Sequence, residues 1–149
     1  MSIFSSFDIS ASGLTAQRYR MDIISENVAN ANTTRTSDGT PYRRKVVTFE
    51  TKDSSRSSFG TALSKAQGNY EGGGGVRVSA VLEDTWTEMT KAYDPSHPDA
   101  DENGYVWYPN VNIVTEMTNL IDASRAYEAN TTAFEASKDM ALQGLNISK

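Results

Sequence analysis

The stretch NVNIVTEMTNLIDASRAYEANTTAFEASKDMALQGL, residues 110 to 145, decides how the rest of the chain is read. Within it Ile113, Met117, Leu120, Ser124, Tyr127, Thr131, Phe134, Lys138, Ala141 and Leu145 recur at alternating steps of four and three. That spacing lines side chains along one stripe of an α-helix. No proline interrupts the run, and no glycine before Gly144. At about 1.5 Å per residue such a helix extends roughly 50 Å. It is too long for a small compact core, and Ser124, Thr131 and Lys138 break its apolar stripe. So thin a stripe leaves an isolated helix marginal in water, so its stability must come from packing against something else.

The other end of the chain offers a counterpart. Phe7, Leu14, Met21 and Val28 are spaced by sevens, with Ile3, Ile24 and Ala31 three or four steps off that line, the pattern of a second amphipathic helix. Gly13 weakens this helix early, and the polar run Asn27, Asn30, Asn32, Thr33 and Thr34 marks where it stops. Two such elements, far apart in sequence, bury their stripes only against each other or against neighbouring molecules.

Residues between the helices follow a different pattern. Ser37-Asp38-Gly39-Thr40-Pro41 signals a turn, and Tyr42 to Glu50 reads as a strand. Lys52 to Ser58 is a serine and charge run suited to a surface loop, and Gly72 to Gly75 a glycine linker. Val76, Val78, Ala80 and Leu82 then alternate with Arg77, Ser79, Val81 and Glu83 as in a half-buried strand, which Trp86 and Met89 extend. Tyr93 to Gly104, with Pro95, Pro98 and several acids, is a loop, and Tyr105 to Tyr108 a short aromatic strand. The expected class is α+β: long N- and C-terminal helices in a coiled-coil-like arrangement, with a small β-rich insert. The corresponding divisions are an N-terminal helical arm (1–35), a β-rich middle with loops (36–109) and a C-terminal long helix (110–149).

Composition narrows the function. Of 149 residues 38% are hydrophobic and the mean hydropathy is -0.52, which does not suit a large core. A net charge of -5 and a pI near 4.8 argue against nucleic acid or an anionic membrane as the main partner. Without cysteine there is no disulfide, thiolate metal site or thiol nucleophile. The start, MSIFSSFDIS, has neither the basic nor the sustained apolar segment of a signal peptide, so work outside the cytoplasm implies export without cleavage.

Motifs that carry chemistry are few. Asp99-Ala100-Asp101-Glu102-Asn103-Gly104 follows the first half of an EF-hand calcium loop, with oxygen ligands Asp99, Asp101 and Asn103 at alternate positions and glycine at the sixth. A calcium-dependent binding module is therefore the alternative reading. Asn110 stands where the closing bidentate Glu belongs, and Asp94-Pro95-Ser96-His97-Pro98 cannot be an entering helix; an acidic, solvent-facing loop is the plainer reading. His97 is the only histidine, so neither a histidine metal pair nor a convincing catalytic triad can be assembled, and no enzyme or cofactor is expected. Arg43, Arg44 and Lys45 read as a solvated basic face. Trp86, Tyr105, Trp107 and Tyr108 read as packing of a small β domain or as a binding platform.

Asn27-Val28-Ala29-Asn30-Ala31-Asn32-Thr33-Thr34, with Ser12-Gly13-Leu14 upstream, resembles the amino-terminal helix motif of the bacterial flagellar rod and hook proteins. Asn112, Glu116-Met117, Asn119-Leu120-Ile121 and Arg125-Ala126-Tyr127-Glu128-Ala129-Asn130 resemble that family's carboxy-terminal helix. Many members continue the first motif with Gly-Phe, where Arg35-Thr36 stands here. Pro41-Tyr42-Arg43-Arg44, Tyr93-Asp94-Pro95 and Tyr108-Pro109-Asn110-Val111-Asn112 are similar to the proximal-rod branch. The resemblance implies a structural rod subunit of the drive shaft in the cell envelope and periplasmic space, exported by the flagellar type III apparatus. Its implied partners are copies of itself, other rod proteins, the base of the rod near the membrane ring and the export apparatus, with no nucleic acid and no membrane insertion. Leu14, Met21, Ile24 and Val28 in one arm, and Ile113, Met117, Leu120, Tyr127 and Phe134 in the other, are the expected contacts of the helical seams. The Asn27, Asn30, Asn32, Thr33 and Thr34 motif is expected to cap its helix and shape the connection rather than bind a ligand.

Overall fold

Asn112 starts the long carboxy-terminal helix by capping it. Its Oδ1 accepts the backbone N–H groups of Val114 at 3.0 Å and Thr115 at 3.2 Å, donors that a first helical turn cannot satisfy internally. In the computed structural model, which describes residues 3–52 and 74–147, that helix spans Ile113–Ile147 (α2) and its counterpart spans Ile3–Ala29 (α1). Between them come β1 (Lys45–Thr51), β2 (Val76–Glu83), β3 (Thr90–Tyr93) and β4 (Tyr105–Tyr108). Strands β1 and β2 form one two-stranded sheet, and β3 and β4 another. Two long helices flanking a small two-sheet insert are the α+β class read from the sequence.

Departures from the sequence reading are local. β1 begins at Lys45 rather than Tyr42, and β2 ends at Glu83 without extending to Trp86 and Met89. There Asp84 closes a turn, its carboxylate accepting the N–H and hydroxyl of Thr87 at 3.0 and 2.8 Å. The Lys52 to Ser58 run lies almost entirely outside the described residues, as do Gly72 and Gly73.

The helices bury polar and small residues where apolar ones were expected. On α2 the sheltered line is Glu116, Leu120, Ala123, Tyr127, Asn130, Phe134, Ser137 and Ala141, all buried or half-buried, whereas Ile113, Met117, Lys138 and Leu145 face out. Six of the ten expected positions, Leu120, Ser124, Tyr127, Thr131, Phe134 and Ala141, are half-buried, and at Met117 and Lys138 the sheltered residue lies one position earlier. On α1 the fully buried residues are Ser10, Gly13, Ala16, Ile24 and Asn27, with Leu14, Met21 and Val28 half-buried.

The chain divides into two compact units, each containing parts of both helices. The first draws on Met1–Arg18, Phe49–Ser79 and Arg125–Lys149. Here Phe7 packs edge-on against Phe134 with ring centroids 4.9 Å apart. Gly13 lets the Asn130 side chain approach closely: a Cβ on Gly13 would lie 2.7 Å from Asn130 Oδ1. Ser12 Oγ donates to the Ile9 carbonyl and accepts the Val76 N–H at 3.0 Å. The adjoining Gly75, at φ 95°, has no room for a side chain, since its Cβ would fall 2.2 Å from that hydroxyl.

The second unit draws on Tyr19–Thr48 and Ala80–Ser124. Its β3–β4 hairpin is antiparallel and pairs Thr90 with Tyr108, Lys91 with Trp107, Ala92 with Val106 and Tyr93 with Tyr105. By the period-two alternation of strands, one face carries Val106, fully buried, with Ala92. Lys91, Tyr93, Tyr105 and Trp107 share the other. The loop from β3 to β4 is pinned by Asp101, whose Oδ1 accepts the N–H groups of Asn103 and Tyr105, both at 2.9 Å.

Candidate functional site

The densest arrangement of functional groups is a polar node inside the second unit. The Asn27 amide pairs with the backbone of Lys45 as a neighbouring strand would. Its Oδ1 accepts the Lys45 N–H at 2.9 Å and its Nδ2 donates to the Lys45 carbonyl at 2.8 Å. Asn110 does the same one residue earlier, accepting the Arg44 N–H at 2.9 Å and donating to the carbonyls of Asp84 and Thr87. Two asparagine side chains thus complete the hydrogen bonding where β1 begins, as buried backbone polar groups require.

Charge fills the centre of this node. Glu116, 1% exposed, accepts from Arg44 Nε at 2.9 Å and Nη2 at 2.8 Å on one oxygen, and from Asn27 Nδ2 at 3.0 Å on the other. The fork of the guanidinium on a buried carboxylate is a strong, directional contact, and Glu116 lies in the first turn of α2, where the helix dipole favours an anion. Asp84 lies 3.7 Å from the same guanidinium. Burial pushes the Asp84 carboxyl up, but the Thr87 hydroxyl, the Thr87 N–H and Arg44 outweigh it, and its pKa falls below the ordinary 3.8. The Tyr42 hydroxyl donates to Asn27 Oδ1 at 2.9 Å. Burial first, then the charges of Glu26, Glu116 and Glu83, pushes the Tyr42 pKa up to about 12. Lys45 pairs with Glu26 nearby. Each group is engaged by another protein group, which is the chemistry of a structural joint.

The basic run therefore departs from its reading as a solvated face: Arg44 and Lys45 are both ion-paired within the protein. Glu116 and Asn110 belong to the node although no site role was read for them. The signal for Glu116 lies in spacing: Glu116, Ala123, Asn130 and Ser137 are seven residues apart, a line invisible to a reading of apolar residues alone.

Residues with a calcium-loop pattern turn to protein partners. Asp99 accepts the Thr34 hydroxyl at 2.8 Å and pairs with Arg35 at 3.6 Å, while Asp101 pins its loop. Among the described residues no three His, Asp or Glu side chains converge to hold a metal ion. Outward, α2 shows an apolar patch: Val114 is 75% and Met117 55% exposed, with Ile113 and Ile121 beside them in the helical sequence. These exposed apolar groups recur at helical spacing along the first turns of α2.

Comparison with known proteins identifies the family. The profile described as "Flagella basal body rod protein" matches residues 7–35, and that described as "Flagellar basal body rod FlgEFG protein C-terminal" matches residues 102–147. "Flagellar basal-body rod protein FlgC" of Bacillus subtilis (strain 168) is 44% identical over 153 residues, covering 100% of each chain. The proteins of the same description from Borreliella burgdorferi and Salmonella typhimurium are 44% and 38% identical, each covering 99% of this chain and 98% of the relative. The chain belongs to the FlgC family of flagellar basal-body rod proteins.

Members of the FlgC family are structural components of the flagellar basal body, and the resemblance carried by the two helix motifs holds over the full length. The FlgC-family motif residues play separate parts here. Asn30 donates to the Glu26 carbonyl at 3.0 Å and accepts the Thr33 hydroxyl at 3.1 Å, closing the end of α1. Asn32 is exposed, Thr34 reaches Asp99, and Asn27 enters the node. Of the residues expected at the helical seams, Ile24 is buried, Leu14, Met21, Val28, Leu120, Tyr127 and Phe134 are half-buried, and Ile113 and Met117 are exposed. No helix among the described residues is long and apolar enough to cross a membrane.

Proposed function

We propose that this chain is a proximal-rod subunit that assembles through its terminal helices and forms part of the shaft carrying motor torque to hook and filament. The observation that carries this reading is the apolar outer patch of α2, centred on Val114 and Met117. Contact between unlike surfaces of successive subunits builds an open helical array when the rotation closes no ring. The seams run along Leu14, Met21, Ile24 and Val28 on α1 and along Ile113, Met117, Leu120, Tyr127 and Phe134 on α2. Asn27, Asn30, Asn32, Thr33 and Thr34 shape the link between α1 and the β insert. Partners are copies of this chain, other rod proteins and the base of the rod near the membrane ring. The protein works in the periplasmic part of the envelope, exported through the flagellar type III apparatus. It needs no cofactor and carries no catalytic role.

Met117→Asp tests the reading. Met117 is exposed in the single chain, so the variant keeps the circular dichroism of the parent, while a charge placed in an apolar contact blocks assembly. Non-motile cells whose isolated basal bodies lack the rod are the expected result; wild-type swimming overturns it.

A further inference from the structure

The outer face of the β3–β4 hairpin gathers four side chains with a common preference. Lys91 Nζ lies 4.3 Å from the centroid of the Tyr105 ring and 5.0 Å from that of Trp107, and Tyr93 packs edge-on against Tyr105 at 5.2 Å. An aromatic ring presents its electron-rich face to a cation, and Lys91 shows that these rings already hold one. Much ring surface remains free, since Tyr93 is 68% and Trp107 44% exposed.

The surroundings have the same bias. From Glu83 to Gly104 the sequence carries seven acidic residues against Lys91 alone, with His97 neutral. The whole chain carries -5, so the remainder is slightly basic and the hairpin region holds the negative charge. Asp84, Asp99 and Asp101 have cationic neighbours in Arg44, Arg35 and Lys91. Glu88 and Glu102 are exposed and have no ion pair among the described residues.

We propose that this face docks an arginine-bearing segment of a partner protein. Aromatic rings on this face, with Asp101 reached through Lys91 and the exposed carboxylates of Glu88 before β3 and Glu102 in the β3–β4 loop, complement a guanidinium in two ways: its plane stacks on the rings and its N–H fork meets carboxylates. A glycan would use the rings alone and gain nothing from the charge, and a second copy presenting this same face would bring its own negative charge against it. Arginine is favoured over lysine because an ammonium is a hydrated point charge with no stacking plane.

The test is a titration of the full chain, followed by amide chemical shifts at low salt, with hexaarginine, hexalysine and tri-N-acetylglucosamine as probes. Hexaarginine is expected to move the signals of Lys91, Tyr93, Tyr105 and Trp107 and to bind about fivefold more tightly than hexalysine. Reversing charge with Glu88→Lys and Glu102→Lys together is expected to weaken it roughly tenfold. Tyr93→Thr, a change at an exposed strand position, is expected to erase the preference for arginine while leaving the Val106 signal in place. Equal affinity for the two peptides, shifts spread over all acidic residues, a response to the sugar instead, or self-association through this face each overturn the proposal.

Discussion

Asn27 and Glu116, separated by 89 positions in sequence, share a hydrogen bond of 3.0 Å in the interior of the second unit. With the Arg44 guanidinium on the other carboxylate oxygen, this contact ties the end of one terminal helix to the start of the other and to the first strand. Glu116→Ala leaves Arg44 and Asn27 facing an apolar void, and unfolding by urea should show a loss of about 3 kcal/mol. Arg44→Met with Glu116→Leu removes both charges together and should recover most of it. A double variant no better than the single one would refute the ion pair as the cause.

Tyr42 should ionise well above the ordinary tyrosine value. Its pKa, pushed up to about 12, exceeds the unfolded value near 10. Stability from the neutral, buried hydroxyl is complete below pH 10 and is lost as pH rises toward 12. An absorbance titration at the phenolate band should resolve one late component among the seven tyrosines, absent in Tyr42→Phe. A spectrum in which the variant keeps that component would reassign it.

Acid acts through a different group. Asp84 has a lowered pKa, so the stability it contributes is present above the ordinary carboxylate value of 3.8 and disappears as pH falls through the lower folded value. Asp94 and Asp101 are lowered as well, Asp94 by the Ser96 hydroxyl and N–H, Asp101 by the Tyr105 and Asn103 N–H groups. Melting temperature should therefore fall steeply below about pH 4, and Asp84→Asn should flatten that slope while lowering stability at neutral pH.

Gly13 and Asn130 are expected to be energetically coupled. Gly13→Ala gains helix propensity of about 1 kcal/mol but drives a Cβ against the Asn130 amide, which is itself held by the Ala126 carbonyl at 2.8 Å. Alone it should destabilise by about 1 kcal/mol; with Asn130→Ala the same change should stabilise. Additive effects in this double-mutant cycle would remove the close approach as the reason for glycine.

Leu120 separates seam from insert. Half-buried on α2, it loses its environment in Leu120→Asp, which should cost about 2 kcal/mol and abolish motility. Because the β3–β4 hairpin is closed by its own backbone pairs, the Tyr105 and Val106 amide signals should survive. Their loss would mean that the helix holds the hairpin together.

Both long helices, the strands at 76–83 and 105–108, and the turn at Gly39 were legible because each rests on local spacing or a local breaker. The family was legible for a similar reason: its motifs lie at the end of α1 and along the first half of α2. The node was not. Arg44 looks like one of three surface charges until Glu116 is placed beside it, and only tertiary pairing does that. On α2 the expected Leu120, Ser124, Tyr127, Thr131, Phe134 and Ala141 are half-buried, four of them apolar by chemistry. Glu116, Asn130 and Ser137 are sheltered by their partners or neighbours, which apolar periodicity does not register.

That mixed stripe has a mechanical consequence. Leu120, Tyr127, Phe134 and Ala141 stand seven residues apart, so an axial slip of two helical turns would bring each onto the berth of the next and leave the line apolar. The interleaved polar line forbids it. After such a slip Ala123 would stand where Glu116 now meets Arg44 and Asn27, stranding a half-buried cation and a buried amide. In the second unit the polar node is thus a detent: it adds little net cohesion but makes sliding under load costly.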